Sequence, residues 1–534
     1  MVMMFGRRSN RSSVLPVVVL GAGVDGLAAA IRLAKGGNKV RVLESSDRVG
    51  GLFAAEEFEP GFHSTGFLHD DSTIPTSLMA SLGLEEHGLQ LRDTAPSCLA
   101  TERDGPGQWI HADVDRMAYD LHQRDANASR EWRKATAFIA RIRPTVRHLL
   151  NDAPAELQPD KNAEKLELLW KGLRLRNLGE ADMLELMRVA PMCAADWVRE
   201  FVLNERTAAA IMHPALIGSW LAPWAAGSAA LVLARECMRG SGAVGGPASV
   251  VRAMESAARA AGVDIQTGDG AAEITIDGDH VIGVRTASGE SIETGRVLST
   301  LEVRRTLLDL CSSNLYGPEL HDMLRGWRTR GTTAKLDLAL ESALDWGPLP
   351  AGEPAVTERA NTSESIEELE RSFDAIKYRE MPEHMTLDIS ITGGAPTGAS
   401  VASVLVHSVP YLLEGGWTAE AKQMLETRAL DALEQVSPGA REKIRAVRTT
   451  TPQDIEDRYG MPGGQVFAGE PALDQLYLLR PARRLSRYQS PISGLWIAGG
   501  STHPGPLAPG ASGWIASGSL MQVGTANSTS SDHK

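Results

Sequence analysis

The sequence predicts an α/β protein in which a parallel-sheet domain, assembled from separate chain segments, is joined to a second domain of mixed β-sheet and helices. Three observations support this. A β-branched run near the N-terminus leads through a glycine-rich turn into a helix. A second strand followed by glycines stands near the C-terminus, at Leu495–Ala498. Between them lie a long helical stretch and further strand-like runs at Lys335–Leu340, Thr386–Ile391 and Val401–His407.

The N-terminal unit has the length and order of a β-α-β motif. Val17–Leu20 is an apolar run that predicts a buried strand, and residues 21–26 predict a tight turn. Leu27–Lys35 shows helical periodicity and ends at Gly36–Gly37, where glycine commonly terminates a helix. Lys39–Leu43 predicts the second strand. Together these elements indicate a Rossmann-type sheet.

Three glycines in the turn and one acid after the second strand predict a dinucleotide site. Gly21, Gly23 and Gly26 match G-x-G-x-x-G: the first makes the turn, the second lets a pyrophosphate approach the backbone, and the third lets helix and strand pack closely. Glu44 ends the second strand, where its carboxylate can accept hydrogen bonds from a ribose diol. The phosphates are expected at the helix N-terminus, which favours anions. The motif alone is compatible with both NAD and FAD.

The rest of the chain predicts a helical region, a small meander and a second sheet. Residues 110–240 show apolar residues at three- and four-residue steps, which is typical of packed helices. The further predicted elements are a helix at Ser249–Ala261, a strand at Val263–Thr267, an antiparallel meander of Ala271–Asp277, Val281–Ala287 and Ser291–Glu293, a strand at Val297–Ser299, an acidic helix over 361–372, a long helix at Trp417–Val436 and a helix from about Gly513.

Composition excludes several classes of protein. The 534 residues carry a net charge of −13, so no nucleic-acid partner is expected, because the chain has no basic excess to neutralise phosphates. The four cysteines form no C-x-x-C pair, which argues against a zinc site or a redox disulfide and is typical of a reducing, cytoplasmic compartment. We predict no metal site, no membrane-spanning segment and a disordered arm over residues 1–13.

Two further blocks carry a resemblance to a known family. Asp47-Arg48-Val49-Gly50-Gly51 follows the ribose acid, and Gly494–Gly505 contains a strand, two glycines and a turn. Both resemble the flavin-containing amine oxidase and phytoene desaturase superfamily. The resemblance implies that the dinucleotide is FAD and that Arg48, Gly50 and Gly51 lie along its pyrophosphate.

The resemblance assigns roles to five more residues. It implies that Gly499 and Gly500 close over the ribityl chain and isoalloxazine of FAD, and that Gly510 and Ala511 offer backbone donors near the flavin pyrimidine. It also implies that Ala271 holds the adenine through its backbone. The later motifs resemble a phytoene-desaturase-like branch called pyridine nucleotide-disulfide oxidoreductase domain-containing protein 2.

The implied activity is that of an FAD-dependent oxidoreductase. A desaturase or dehydrogenase that transfers a hydride from an apolar, carotenoid- or lipid-like substrate to flavin N5 is the leading interpretation, with oxygen or a quinone as electron acceptor. An amine oxidase, a saturase, an isomerase and a non-catalytic flavin-bound binding factor remain alternatives. His69 and His503 are the candidate catalytic residues, and a structural role fits each of them equally well.

Leu166–Arg176 is a short basic, amphipathic stretch that is compatible with peripheral contact with a membrane or with packing between domains.

The resemblance and the predicted elements divide the chain into six segments. Three form the FAD-binding domain, at 14–110, 241–310 and 486–524. The others are a largely helical substrate-domain segment at 111–240, the substrate domain at 311–485 and a disordered tail at 525–534.

Overall fold

The computed structural model describes residues 15–103, 105–311, 316–349, 357–393 and 398–531. The predicted arm over residues 1–13 lies outside these ranges. Among the described residues, no helix is long and apolar enough to cross a membrane.

The first sheet is parallel and has the predicted Rossmann-type arrangement. Its spatial order is β17-β11-β1-β2-β7, so the two chain ends and the middle of the chain meet in one sheet. The strands are β1 (Val17–Leu20), β2 (Val40–Leu43), β7 (Asp264–Gln266), β11 (Val297–Ser299) and β17 (Leu495–Ile497). Every side chain of β1 is buried, as expected for a central parallel strand covered on both faces.

The second sheet has seven strands and is mostly antiparallel. Its order is β16-β12-β15-β14-β13-β5-β6, with β13 and β5 as the parallel pair. A meander of β8, β9 and β10 and a hairpin of β3 and β4 complete the strands. The bounds are β3 (Glu56–Glu59), β4 (Phe62–Ser64), β5 (Cys98–Ala100), β6 (Gln108–Ile110), β8 (Ala271–Asp277), β9 (His280–Thr286), β10 (Ser291–Glu293), β12 (Thr333–Leu340), β13 (Arg359–Asn361), β14 (Leu387–Thr392), β15 (Ser400–His407) and β16 (Ile444–Thr450).

The helices cover the parallel sheet and form one wall of the second domain. Small residues at 28–30 in α1 let that helix pack closely against α10 and α16. The helices are α1 (Val24–Lys35), α2 (Thr76–Leu82), α3 (Val114–Arg124), α4 (Ala126–Asn151), α5 (Asn162–Arg176), α6 (Gly179–Val189), α7 (Ala194–Arg199), α8 (Glu205–Leu216), α9 (Ser228–Met238), α10 (Pro247–Ala260), α11 (Pro318–Arg325), α12 (Ile366–Lys377), α13 (Ala419–Val436), α14 (Ala440–Lys443), α15 (Pro452–Tyr459) and α16 (Ala511–Ser531).

Two predicted boundaries differ from the structure. The segment 14–110 was expected to belong wholly to the first domain, but β5 and β6 lie in the second sheet. β5 pairs with β13 across some 260 residues of sequence, as in Leu99 against Ala360, and no local pattern reveals such a partner. The tail expected from residue 525 is also helical as far as Ser531. The unfavourable step in forming a helix is its first turn, and in α16 the first turns are stabilised by burial. Polar residues can therefore continue this helix at little cost.

Candidate functional site

The predicted glycines gather around the N-termini of α1 and α16. Gly21 has a φ of +93°, which favours glycine, and a Cβ there would lie 2.7 Å from Oγ1 of Thr300. A Cβ on Gly26 would lie 1.9 Å from the Gly21 carbonyl oxygen. These two glycines therefore let the turn and the helix pack together, as the sequence predicts.

Gly23 differs from its two neighbours because open space surrounds it. No atom lies within 4 Å of a Cβ built on it, and it caps α1 without any side-chain hydrogen bond. Gly50 pairs with Gly23 in a parallel bridge, and a Cβ on Gly51 would lie 3.4 Å from the Gly23 Cα. We call the backbone of Gly23, Gly50 and Gly51 the glycine surface. It leaves the first N–H groups of α1 open to an anion.

Polar side chains lie beside the glycine surface. Oε2 of Glu44 accepts a hydrogen bond from the Ala22 N–H at 2.7 Å, which fixes the carboxylate at the end of β2. Ala271 begins β8, and the preceding Gly270 packs against Ser45, next to that carboxylate. Arg48, which the sequence predicts beside the pyrophosphate, is already paired with a carboxylate. Its Nε donates to Oδ1 of Asp47 at 2.7 Å.

The C-terminal residues reach the same place. Gly499 and Gly21 approach Thr300 from two sides, and a Cβ on Gly499 would lie 2.4 Å from the Thr300 carbonyl oxygen. Gly500 packs on the backbone of residue 467 in the same way. Gly510 contacts Val24 of α1, and Ala511 begins α16.

Asp25 is a site residue that the sequence reasoning missed. Its Oδ1 accepts a hydrogen bond from the Gly513 N–H at 3.0 Å, so it joins the two helix N-termini. Burial raises the pKa of this carboxyl to about 6. An acid inside the glycine motif was the available signal. The arrangement fits FAD: open glycine backbone and free N–H groups at α1 for a pyrophosphate, and a carboxylate at β2 for a ribose.

A cavity of about 210 Å³ lies between the second sheet and the helical wall. Its floor comes from the loop after β4, from α9 and from β13 and β14, and it reaches the start of α10. Its lining combines apolar side chains with ionisable ones. Five ionisable residues of the lining form what we call the ionic wall, defined as His69, Asp70, Arg235, Arg359 and Asp388.

His69 is held rigidly in the ionic wall. Its Nε2 lies 3.2 Å from Oδ2 of Asp388, and both side chains are buried. Burial raises the pKa of Asp388, but the His69 hydrogen bond and the Arg359 charge outweigh it and bring the pKa to about 2. Asp388 is therefore ionised and accepts the proton of Nε2, which leaves the lone pair on Nδ1. Burial lowers the pKa of His69 and the Asp388 contacts offset only part of this, so the imidazole is neutral at pH 7.

The other ionic-wall residues come from distant segments. Arg235 donates to Oδ2 of Asp70 at 2.6 Å, and Arg359 lies 3.7 Å from the same oxygen. Burial raises the pKa of Asp70, but the two guanidinium groups outweigh it and hold the pKa below its usual range. No sequence pattern points to Arg235, Arg359 or Asp388, because each is an isolated charged residue in an ordinary helix or strand.

His503, the second catalytic candidate, has a structural role in this fold. Its Nε2 donates to the Leu149 carbonyl at 3.0 Å, and it is not among the residues that line the cavity. Burial lowers its pKa to about 3. Tyr477 packs edge-on against its ring, with 5.1 Å between centroids. His503 therefore fixes α4 against the C-terminal loop.

Lys335 is a further buried charge that the sequence did not single out. It lies on β12 with Nζ 3.0 Å from Oδ1 of Asp337, and each side chain is only 1% exposed. Nζ also donates to the Gly66 carbonyl, and Arg448 binds the other Asp337 oxygen at 2.6 Å. Burial lowers the pKa of Lys335. This pair ties the second sheet to the loop that carries His69.

Among the described residues, no group of three or more His, Cys, Asp or Glu could hold a metal ion.

Comparison with known proteins identifies related chains. The profile of the family described as flavin containing amine oxidoreductase matches residues 26–518. Pyridine nucleotide-disulfide oxidoreductase domain-containing protein 2 of Rattus norvegicus is 25% identical over 93% of this chain and 91% of its own. The neurosporene-forming phytoene desaturase of Cereibacter sphaeroides is 26% identical over 93% and 92%. The solved structure of putrescine oxidase bound to putrescine has the same fold, with a TM-score of 0.57 at 13% identity over 95% of this chain and 99% of that one.

Proposed function

The chain belongs to the flavin-containing amine oxidoreductase family and is an FAD-dependent oxidoreductase, and we propose that it is a dehydrogenase that introduces a C=C bond into its substrate. The neutral, oriented His69 beside the cavity carries this proposal. Bound FAD supplies the acceptor for a hydride at its N5 atom. We propose oxygen or a quinone as the final electron acceptor.

We propose that the glycine surface and the residues around it hold FAD. Gly23, Gly50 and Gly51 offer backbone to the pyrophosphate, and Glu44 accepts hydrogen bonds from the ribose. Gly21 and Gly26 set the turn. Arg48 contributes positive charge at the rim, with two of its five N–H donors committed to Asp47. The remaining cofactor residues in this proposal are Ala271, Gly499, Gly500, Gly510 and Ala511.

His69 supplies the proton transfer that a dehydrogenation needs. Loss of a hydride from one carbon must be accompanied by loss of a proton from its neighbour. Because Asp388 accepts the proton of Nε2, Nδ1 carries the lone pair, and no described group donates a hydrogen bond to it, so we propose Nδ1 as the base. The Asp388 carboxylate then stabilises the imidazolium that forms. Asp388 is a positioning residue in this account, since it acts through His69.

The experiment is anaerobic reduction of the protein-bound flavin by candidate substrates. We expect His69→Ala to retain FAD but to slow flavin bleaching by about 10²- to 10⁴-fold, the usual range for a general base. Asp388→Asn should slow it less and move the acid limb of the pH profile to lower pH, because the imidazolium loses its counter-charge. His280→Ala, on an exposed side chain of β9, is the control. Unchanged bleaching in His69→Ala would contradict the assignment.

We also propose that the protein is cytoplasmic and touches a membrane through α5. Leu169 and Trp170 lie about one turn after Leu166 on this helix. The three side chains are between 53% and 59% exposed. Lys165 and Arg174 provide positive charge on the same helix. We expect the protein to sediment with vesicles of a phosphatidylcholine and phosphatidylserine mixture, and Leu169→Ser with Trp170→Ser to abolish this. Equal sedimentation of the variant would refute the contact.

A further inference from the structure

We infer that the cavity binds an amphipathic acid: a molecule with a carboxylate at one end and an apolar body. The inference rests on the proposed function only in taking the cavity as the substrate site. It names the chemical class of the substrate and separates it from both a bare hydrocarbon and an amine.

The arginines that line the cavity have unused hydrogen-bond donors. Arg143 on α4 has one long contact, from its NH2 to the Glu236 carbonyl at 3.4 Å, and its Nε is buried without a partner. Within the described part of the chain it has no carboxylate at salt-bridge distance. Arg239 uses one donor, on Glu236 at 3.3 Å. Since each guanidinium carries five N–H groups, most of these donors remain free.

The carboxylates of the cavity, by contrast, are already engaged. Asp70 accepts from the Ser72 N–H with one oxygen and from Arg235 with the other. Asp71 accepts from the Ala243 N–H, and Glu236 is shared by Arg235 and Arg239. Asp388 accepts from His69, and Glu358 pairs with Arg92. Each of these carboxylates therefore already has at least one donor from the protein, whereas Arg143 has no carboxylate partner among the described residues.

This imbalance discriminates between ligand classes. An ammonium group brings donors only, so it would compete with the arginines for engaged carboxylates. A hydrocarbon would leave the free guanidinium donors desolvated and unpaired, which is unfavourable. A carboxylate supplies two acceptor oxygens and pairs with arginine in the planar, bidentate geometry that both groups prefer.

The apolar part of the cavity lining accommodates an apolar body of limited size. These side chains come from three helices and one turn: Ile139 of α4, Ile211 of α8, Val232 of α9 and Phe201 just after α7. The volume of about 210 Å³ lies below the roughly 300–1,000 Å³ of common ligand pockets. The ligand is therefore a small or medium-length molecule, shorter than a carotenoid.

The test is calorimetric titration of the FAD-containing protein with octanoate, octylamine and octanol, which share one chain length and differ in the head group. We expect octanoate to bind at least 10-fold tighter than either of the others, and Arg143→Gln to weaken it by about 10-fold, as for the loss of a charged hydrogen bond. Arg141→Gln is the matched control, because it lies two residues away on α4 and pairs outside the cavity with Asp182 at 2.8 Å.

Several outcomes would overturn the inference: octylamine or octanol binding as tightly as octanoate, no binding by any of the three, or equal octanoate affinity in Arg143→Gln and wild type. If Arg143→Gln fails to fold, Arg239→Gln and the ligand ranking on the wild type decide. Calorimetry measures binding without turnover. The acid specificity can thus fail while flavin bleaching by another substrate still supports the dehydrogenase, and the reverse also holds.

Discussion

The glycine surface and the ionic wall are built in opposite ways. The first is backbone: Gly23 offers open space, Gly50 and Gly51 lie against it, and hardly any side chain intervenes. The second consists of ionisable side chains from four segments, such as Arg235 from α9 and Asp388 from β14. A backbone site needs particular residues at fixed spacing, whereas a side-chain site needs only that distant residues meet. The first therefore leaves a motif in the sequence and the second does not.

The largest expected effect tests the backbone side of this comparison. Gly23→Val would place its side chain in the open space at α1, where a Cβ meets no atom within 4 Å, so the fold should persist while FAD affinity falls by about 10³-fold, or about 4 kcal/mol. Flavin content after gel filtration and circular dichroism measure the two effects. Gly317→Val is the matched control, because Gly317 caps α11 with a similar extended backbone and equal open space. Loss of fold in Gly23→Val alone would contradict this account.

The next effect tests the charged side. Asp337→Asn would leave Lys335 as a buried cation without its counter-charge, and breaking such a pair costs about 3–5 kcal/mol of unfolding free energy. Urea denaturation measures it. Asp182→Asn breaks an ion pair with an exposed arginine and should cost about 1 kcal/mol or less. Equal costs for the two variants would show that burial of the pair does not matter.

The smallest effect concerns the pH dependence of stability. Burial raises the pKa of Asp71 from 3.8 to about 6, with Asp70 adding to the shift. The folded state thus holds its proton more tightly than the unfolded state, so the contribution of Asp71 to stability is full below pH 4 and falls as the pH rises to 6. The loss is about 2–3 kcal/mol. In Asp71→Asn this fall should vanish, as measured by urea midpoints at pH 4 and pH 7. An unchanged pH profile would contradict the buried carboxylate.

The same contrast explains what the sequence could predict. The parallel sheet, the meander and the glycine cluster follow from local patterns: apolar runs, turn residues and the spacing of Gly21, Gly23 and Gly26. β5 and β13 are three-residue strands whose pairing depends on chain contacts across the whole molecule. His69 is a candidate from the sequence because it follows the early glycine block, but Asp388, which its ring contacts, lies 319 residues away. His503 is a candidate because it lies in the C-terminal glycine block. Its hydrogen bond to the Leu149 carbonyl, which favours a structural role, cannot be predicted from the sequence.

The most direct test of the central claim is identification of the cofactor that the purified protein releases on denaturation. The account predicts a yellow protein with absorption at ~370 and ~450 nm that releases one FAD per chain. A colourless protein, or one that releases a nicotinamide dinucleotide, would contradict both the assignment of the glycine surface to FAD and the dehydrogenation proposed for the cavity.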